Sequence, residues 1–154
     1  MNKEIERKFL LKNTDWKIFA NTGISIKQGY LNSSKELTTR IRTKGKQAFI
    51  TIKGKTEGIS RAEFEYEIPL KDALELLKLC QNSNIEKTRY EVKIDEHIWE
   101  IDVFEGENEG LIVAEIELSS EDETFKKPTW LGKEVSFEDK YFNACLVEKP
   151  FKDW

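Results

Sequence analysis

Eight segments of this chain switch between apolar and polar side chains at every second residue, and this period of two constrains the fold more than any other feature. They run over 3–11, 25–31, 37–44, 47–54, 61–69, 86–95, 98–105 and 111–118. Lys44-Gly45-Lys46 and Asp95-Glu96-His97 read as hairpin turns between them. Helical spacing is largely confined to 71–81, which follows Pro69 and aligns Ala73, Leu74, Leu77 and Cys80 or Gln81, with shorter pieces at 15–20, 121–125 and 138–147. So many strands with so little helix predict a mainly β chain of the α+β kind, built as a closed or nearly closed antiparallel barrel. Its 154 residues suit one domain, 1–154.

Side chains alternate across a strand, so residues i and i+2 share a face about 6.5–7 Å apart. Sorted by face, Glu4, Glu6 and Lys8 stand opposite Ile5 and Phe9, while Arg40 and Arg42 flank Ile41. Lys53 is set apart from Ile50 and Ile52, and Glu63, Glu65 and Glu67 alternate with Phe64, Tyr66 and Ile68. Lys87, Arg89, Glu91 and Lys93, then Glu100 and Asp102, then Glu115 and Glu117, repeat the pattern. For any single strand this is the wet face of an ordinary amphipathic sheet. Two details set the group apart: arginine is chosen at 40, 42 and 89, and acids and bases are segregated by strand.

With the charged face inward, the barrel would hold both signs of charge at high density. Desolvating them is costly unless each is paired or liganded, so such an interior implies water, metal ions and a multiply charged ligand. Paired carboxylates on a strand suit hard divalent cations. Arg and Lys suit phosphate oxygens, and no His or Cys nucleophile converges with them. The net charge of −4 argues against a broad nucleic-acid footprint. Cys80 and Cys145, without a CxxC partner, read as reduced thiols of a cytoplasmic protein. No run approaches the roughly 20 apolar residues of a membrane helix, so no membrane is expected as a partner.

The charged positions also fall into an ordered series: Glu4-x-Glu6-x-Lys8, Gln28-Gly29-Tyr30-Leu31, Arg40-x-Arg42, Thr51-Ile52-Lys53, Glu63-x-Glu65, Glu86-Lys87-Thr88-Arg89-Tyr90, Asp102-Val103-Phe104, Glu115-x-Glu117 and Tyr141-x-Asn143. This series resembles the CYTH superfamily, the triphosphate tunnel metalloenzymes. The resemblance implies an eight-stranded closed antiparallel barrel with a few helices packed outside. It further implies a metal-dependent triphosphatase using Mg²⁺ or Mn²⁺, two ions in all, with inorganic triphosphate as substrate and nucleoside triphosphates as further candidates. Lys8, Arg40, Arg42, Lys53, Lys87 and Arg89 would grip phosphate, with Lys140 as a further contact. Glu4, Glu6, Glu115 and Glu117 would hold metal, and Glu63, Glu65 and Asp102 would orient the attacking water or help bind a second ion.

The rival readings are a class IV-type adenylate cyclase, a polyphosphate or nucleotide sensor without turnover, and a ligand-carrying barrel of the lipocalin kind, whose cavity would be apolar. Arg61 reads as able to reach the ligand, while Glu67, Glu91, Lys93 and Glu100 are expected at the tunnel mouths. His97 reads as exposed in a turn, Arg7 as reaching solvent, and Trp16, Trp99, Trp130 and Trp154 as outer-core or interface anchors rather than substrate stackers. The oligomeric state, monomer or homodimer, is left open by the sequence.

Overall fold

The computed structural model describes residues 2–154. Its strands are β1 (Lys3–Leu11), β2 (Ile24–Ser33), β3 (Leu37–Lys44), β4 (Gln47–Gly54), β5 (Ser60–Ile68), β6 (Ile85–Ile94), β7 (His97–Phe104), β8 (Ile112–Glu117) and β9 (Leu131–Glu134). They run in the order β5-β4-β3-β2-β6-β7-β8-β1-β9, and a further β1–β5 pairing closes the first eight into an antiparallel barrel. Gly45 (φ 60°) and Asp95 (φ 55°) take the left-handed backbone that the β3–β4 and β6–β7 hairpins need. No helix among the described residues is long and apolar enough to cross a membrane.

β1 closes the barrel because it has partners on both edges. Glu6 to Leu10 face β8, while the other edge meets β5 first and β9 later. The β1–β5 seam is narrow, with only three facing pairs: Lys3 with Ala62, Glu4 with Arg61, and Ile5 with Ser60.

The uncharged faces of the strands point outward into two clusters. Ile5, Phe9, Val92, Trp99, Ile101, Ala114 and Ile116 pack with Trp16, Trp130 and Leu131, and Phe9 and Trp130 meet the Trp99 ring edge-on at 5.6 and 5.7 Å. Helix α1 (Leu70–Leu79) lays Ala73 and Leu77 over Ile41 and Ala48. Gly29 allows this close approach, because a Cβ there would lie 2.5 Å from Asn84 Oδ1 and 2.8 Å from Cys80 Sγ.

A third cluster lies inside. Cross-strand partners share a face, and Phe104 faces Lys87 while Val113 faces Asp102. These residues, with Tyr30, Ile85 and Leu111, pack against Val135, Tyr141, Leu146 and Val147 of the C-terminal segment. That segment holds a 3-10 turn at Asp139–Tyr141 and the short helix α2 (Asn143–Leu146). The interior is therefore charged toward one end and apolar at the other. The sequence reading, which followed only the charged positions, expected both signs of charge inside at high density and did not identify the apolar end.

Four further expectations need correction. β9 was missed, because Leu-Gly-Lys-Glu is four residues long and carries no alternation. The 121–125 segment is irregular rather than helical, held by His97 and the Ser119 amide on Glu123 and by Phe125 against Trp99. His97 is accordingly mostly buried, with 16% of its side chain exposed. Arg7 does not run to solvent: its Nε and Nη2 donate to Glu134 at 2.9 and 2.6 Å, and the guanidinium lies over Phe125. Three of the tryptophans are outer-core anchors, while Trp154 packs edge-on against Tyr141 and Phe151 and is 39% exposed.

Candidate active site

Strand pairing carries the charged residues to the interior in a definite arrangement. In a ring of eight strands, members four places apart stand opposite, so β8 faces β3, β7 faces β4 and β1 faces β2. The glutamates of β8 thus look across the bore at Arg40 and Arg42. Lys8, Arg40, Lys53, Lys87, Arg89, Glu4, Asp102 and Glu115 are all buried. So many buried charges persist only because nearly all are paired.

The deepest group is a clasp on Asp102. Arg89 donates to it twice, from Nε at 2.8 Å and Nη2 at 2.9 Å, and Lys87 Nζ approaches at 2.7 Å. Burial by itself would raise Asp102, but Arg89 and Lys87 outweigh it and hold the carboxyl far below its ordinary range. Burial, with help from the Arg89 and Arg42 charges and against the pull of Asp102, brings Lys87 down to about 7. Lys87 also donates to Asn143 Oδ1 at 2.9 Å, and Lys8 Nζ donates to the Tyr141 carbonyl at 3.3 Å while lying 3.7 Å from Glu115. The C-terminal segment thus fixes two of the interior lysines.

Arg42 Nε donates to Gln28 Oε1 at 2.9 Å, and the Gln28 amide donates onward to the Tyr30 hydroxyl at 3.1 Å. Burial and its arginine neighbours bring Arg42 down to about 9, as expected of a cation lacking a carboxylate. Arg40 donates to Thr51 and Glu65 through Nη2, and its buried Nε has no partner within the protein. An orphaned guanidinium N–H facing a charged bore is suited to an anion.

On the β7–β8–β1 wall, like charges face each other: Glu6 opposite Glu117, and Glu115 opposite Glu100. Such pairs are destabilising unless a cation lies among them. Burial, then Glu115 and Glu4, push the Glu6 carboxyl well above its ordinary value. Glu117 and Glu100 are raised too, each by burial first and by neighbouring acids. Burial by itself would raise Glu115, but Lys8, Arg89 and Lys87 together outweigh it and lower the carboxyl to about 2. An oxygen-only donor set with mutually raised carboxylates fits a hard divalent cation. Among the described residues, no three carboxylates already converge at ligating distance.

The structure brings Lys8, Arg40, Arg42, Lys53, Lys87, Arg89, Glu4, Glu6, Glu115 and Asp102 together in the bore. Glu63 is half-buried, and Glu65 and Glu117 reach solvent at the rim. Lys140 stands apart: it is exposed, with Nζ 4.4 Å from the centre of the Trp154 ring. Sequence reading assigned no role to Gln28, Thr51 or Asn143, which carry no charge, and left out Glu100, whose strand parity was the available signal. Glu100 lies 3.3 Å from Arg89.

Comparison with known proteins agrees with this geometry. The CYTH domain profile matches residues 2–144. An inorganic triphosphatase of Acetivibrio thermocellus is 44% identical over 155 residues, covering 100% of this chain and 99% of that one. An inorganic triphosphatase of Nitrosomonas europaea is 36% identical over 149 residues, covering 94% and 96%. The crystal structure of the inorganic triphosphatase NE1496 superposes with a TM-score of 0.65 at 31% identity, covering 94% of this chain and 93% of that one. A protein from Hippeastrum described as a putative adenylyl cyclase shares the fold at 16% identity, with a TM-score of 0.60 over 76% of this chain and 80% of that one. A barrel closed through β1, with paired acids facing arginines across its bore, and a matching profile over nearly its whole length place this chain in the CYTH domain family.

Proposed function

We propose that the chain hydrolyses inorganic triphosphate to pyrophosphate and orthophosphate in its barrel, with nucleoside triphosphates as further substrates and Mg²⁺ or Mn²⁺ as the required ion. The observation that carries this reading is the facing of the β3 arginines and the β8 glutamates across one bore. It is supported by the two relatives named inorganic triphosphatase.

Phosphoryl transfer through a loose transition state asks the protein mainly for positioning and charge neutralisation. Arg40, Arg42, Lys53, Lys87, Arg89 and Lys8 would bind the non-bridging oxygens, Arg40 offering its free Nε. Glu4, Glu6, Glu115 and Glu117 would hold divalent cations, which in such sites act as Lewis acids and lower the pKa of bound water. Water oxygen bonds to the terminal phosphorus as the bond to the bridging oxygen breaks, and pyrophosphate leaves with that electron pair. The water proton goes to a carboxylate. Asp102 is a poor acceptor because Lys87 and Arg89 hold it ionised, and its part is to position them. Glu63 is the better acceptor, its carboxyl raised by burial and by Glu4, and Glu65 shares the rim beside it. The apolar packing around Tyr141 and Leu146 leaves a nucleoside no place at that end, so the base of ATP would stay at the open rim. No base-recognition role is assigned there.

Orthophosphate release from triphosphate, ATP and thiamine triphosphate, each with Mg²⁺ and with Mn²⁺, tests this. The expected order puts inorganic triphosphate first in kcat/KM, with no release in EDTA. Cyclic AMP from ATP without orthophosphate, or no turnover of any of them, would overturn it.

A further inference from the structure

Glu4 is a metal-holding carboxylate in the reading above, yet its two oxygens are already taken. Lys53 Nζ donates to both of them at 3.0 Å, and Arg61 Nε donates to Oε1 at 3.3 Å. Two full positive charges therefore flank one carboxylate whose side chain is only 11% exposed. A divalent ion approaching Glu4 would meet both cations at short range, where repulsion is strong in a partly dehydrated site.

The three residues come from three strands, and their placement is fixed by the narrowest part of the fold. Glu4 and Arg61 face each other across the three-pair seam between β1 and β5, while Lys53 reaches in from β4. Lys53 also lies 3.4 Å from Glu63 and faces it in register, so it has a second carboxylate to turn to when it leaves Glu4. Arg61 is 26% exposed along its side chain, so its guanidinium can move toward the rim without crossing the packed wall.

We infer that Lys53 and Arg61 form a cationic clasp on Glu4 that competes with the metal ion, and that phosphate oxygens release it. Triphosphate draws the two cations off Glu4, and Glu4 then becomes free to ligate. Metal and triphosphate binding are thereby coupled, and by linkage the coupling is reciprocal. Arg61 is the positioning residue of this device. The inference rests on the metal-dependent reading of the bore, but it predicts something that reading alone does not: removing Arg61 should tighten the binding of metal.

Isothermal titration with Mn²⁺ alone, on the full chain, tests it. Arg61→Gln is expected to bind Mn²⁺ about fivefold or more tightly than wild type, at the low end of measured site–site couplings. Lys3→Gln removes an exposed charge from the outward face beside Glu4 and is expected to stay within about twofold, since long-range screening leaves little for an uncontacted charge. Saturating sulfate, a tetrahedral oxyanion, should tighten Mn²⁺ binding in wild type and much less in Arg61→Gln. Arg61→Lys keeps the charge and shortens the reach, and its affinity should fall between the two. If Arg61→Gln does not fold, the Arg61→Lys shift decides. Mn²⁺ affinity unchanged or weakened in the variant overturns the clasp while leaving the triphosphatase reading intact. Absence of Mn²⁺ binding in every protein, together with absence of phosphate release, overturns both.

Discussion

Asp102→Ala is expected to lower stability by about 3–5 kcal/mol, the cost of leaving buried charges without their partner. For a domain of this size that is a fall in Tm of roughly 6–20 °C. Asp102 is 1% exposed and accepts from Lys87 and from two nitrogens of Arg89. Its loss takes the main partner from two buried cations at once, leaving Lys87 only Asn143 and Arg89 only Glu100 at 3.3 Å. Lys87, already lowered to about 7, would shed its proton, which relieves part of the cost and removes one phosphate-binding charge. Arg89 cannot do the same. Asp102→Asn keeps an acceptor of similar shape and should fall between wild type and the alanine variant. Thermal unfolding of the three proteins checks the order. A Tm for Asp102→Ala within 2 °C of wild type, a margin below about 1 kcal/mol, would show that the clasp contributes nothing.

Glu6→Gln should separate stability from activity in opposite directions. Glu6 faces Glu117 and is raised by burial, Glu115 and Glu4, so its ionised form is held against repulsion. Between its ordinary value of 4.5 and its raised native value, the native state keeps a proton that the unfolded chain has lost. Stability from this group is therefore full below pH 4.5 and declines as pH rises through the native value. Without metal, wild-type Tm should fall across that window, and Glu6→Gln should flatten the slope and melt higher at neutral pH. The same substitution removes a proposed metal ligand, and kcat/KM should drop by about 10²–10³, equivalent to about 3–4 kcal/mol of transition-state stabilisation. A variant that melts lower than wild type at pH 7 and keeps its activity would contradict both halves.

These two residues illustrate what the sequence made legible. The strands were readable because alternation reports which face is buried, and it works even where the buried face carries charge. Glu6 and Asp102 fall on the interior parity with the rest of the constellation, and family order supplied their candidate roles. Their partners could not be read in the same way. That Asp102 is spoken for by Lys87 and Arg89 depends on a cross-strand register that no local pattern encodes. The grip of Asn143 and the Tyr141 carbonyl on Lys87 and Lys8 joins residues 56 and 133 positions apart. The apolar end of the bore escaped notice because Tyr30, Phe104 and Val113 look like ordinary strand hydrophobics until the register turns them inward. β9 was too short for any periodicity, and Lys140, adjacent to a family motif, turned out to lie over Trp154 instead of in the bore.

The central claim is that the charged interior of the barrel is where metal and triphosphate meet. Anomalous diffraction from crystals of the chain grown with Mn²⁺ and triphosphate addresses it directly. The expected result is a manganese peak inside the barrel among Glu4, Glu6, Glu115 and Glu117, with phosphate density between it and Arg40 and Arg42. Manganese and phosphate found only on the outer surface, with Arg42 still bonded to Gln28 and the bore free of both, would contradict the account.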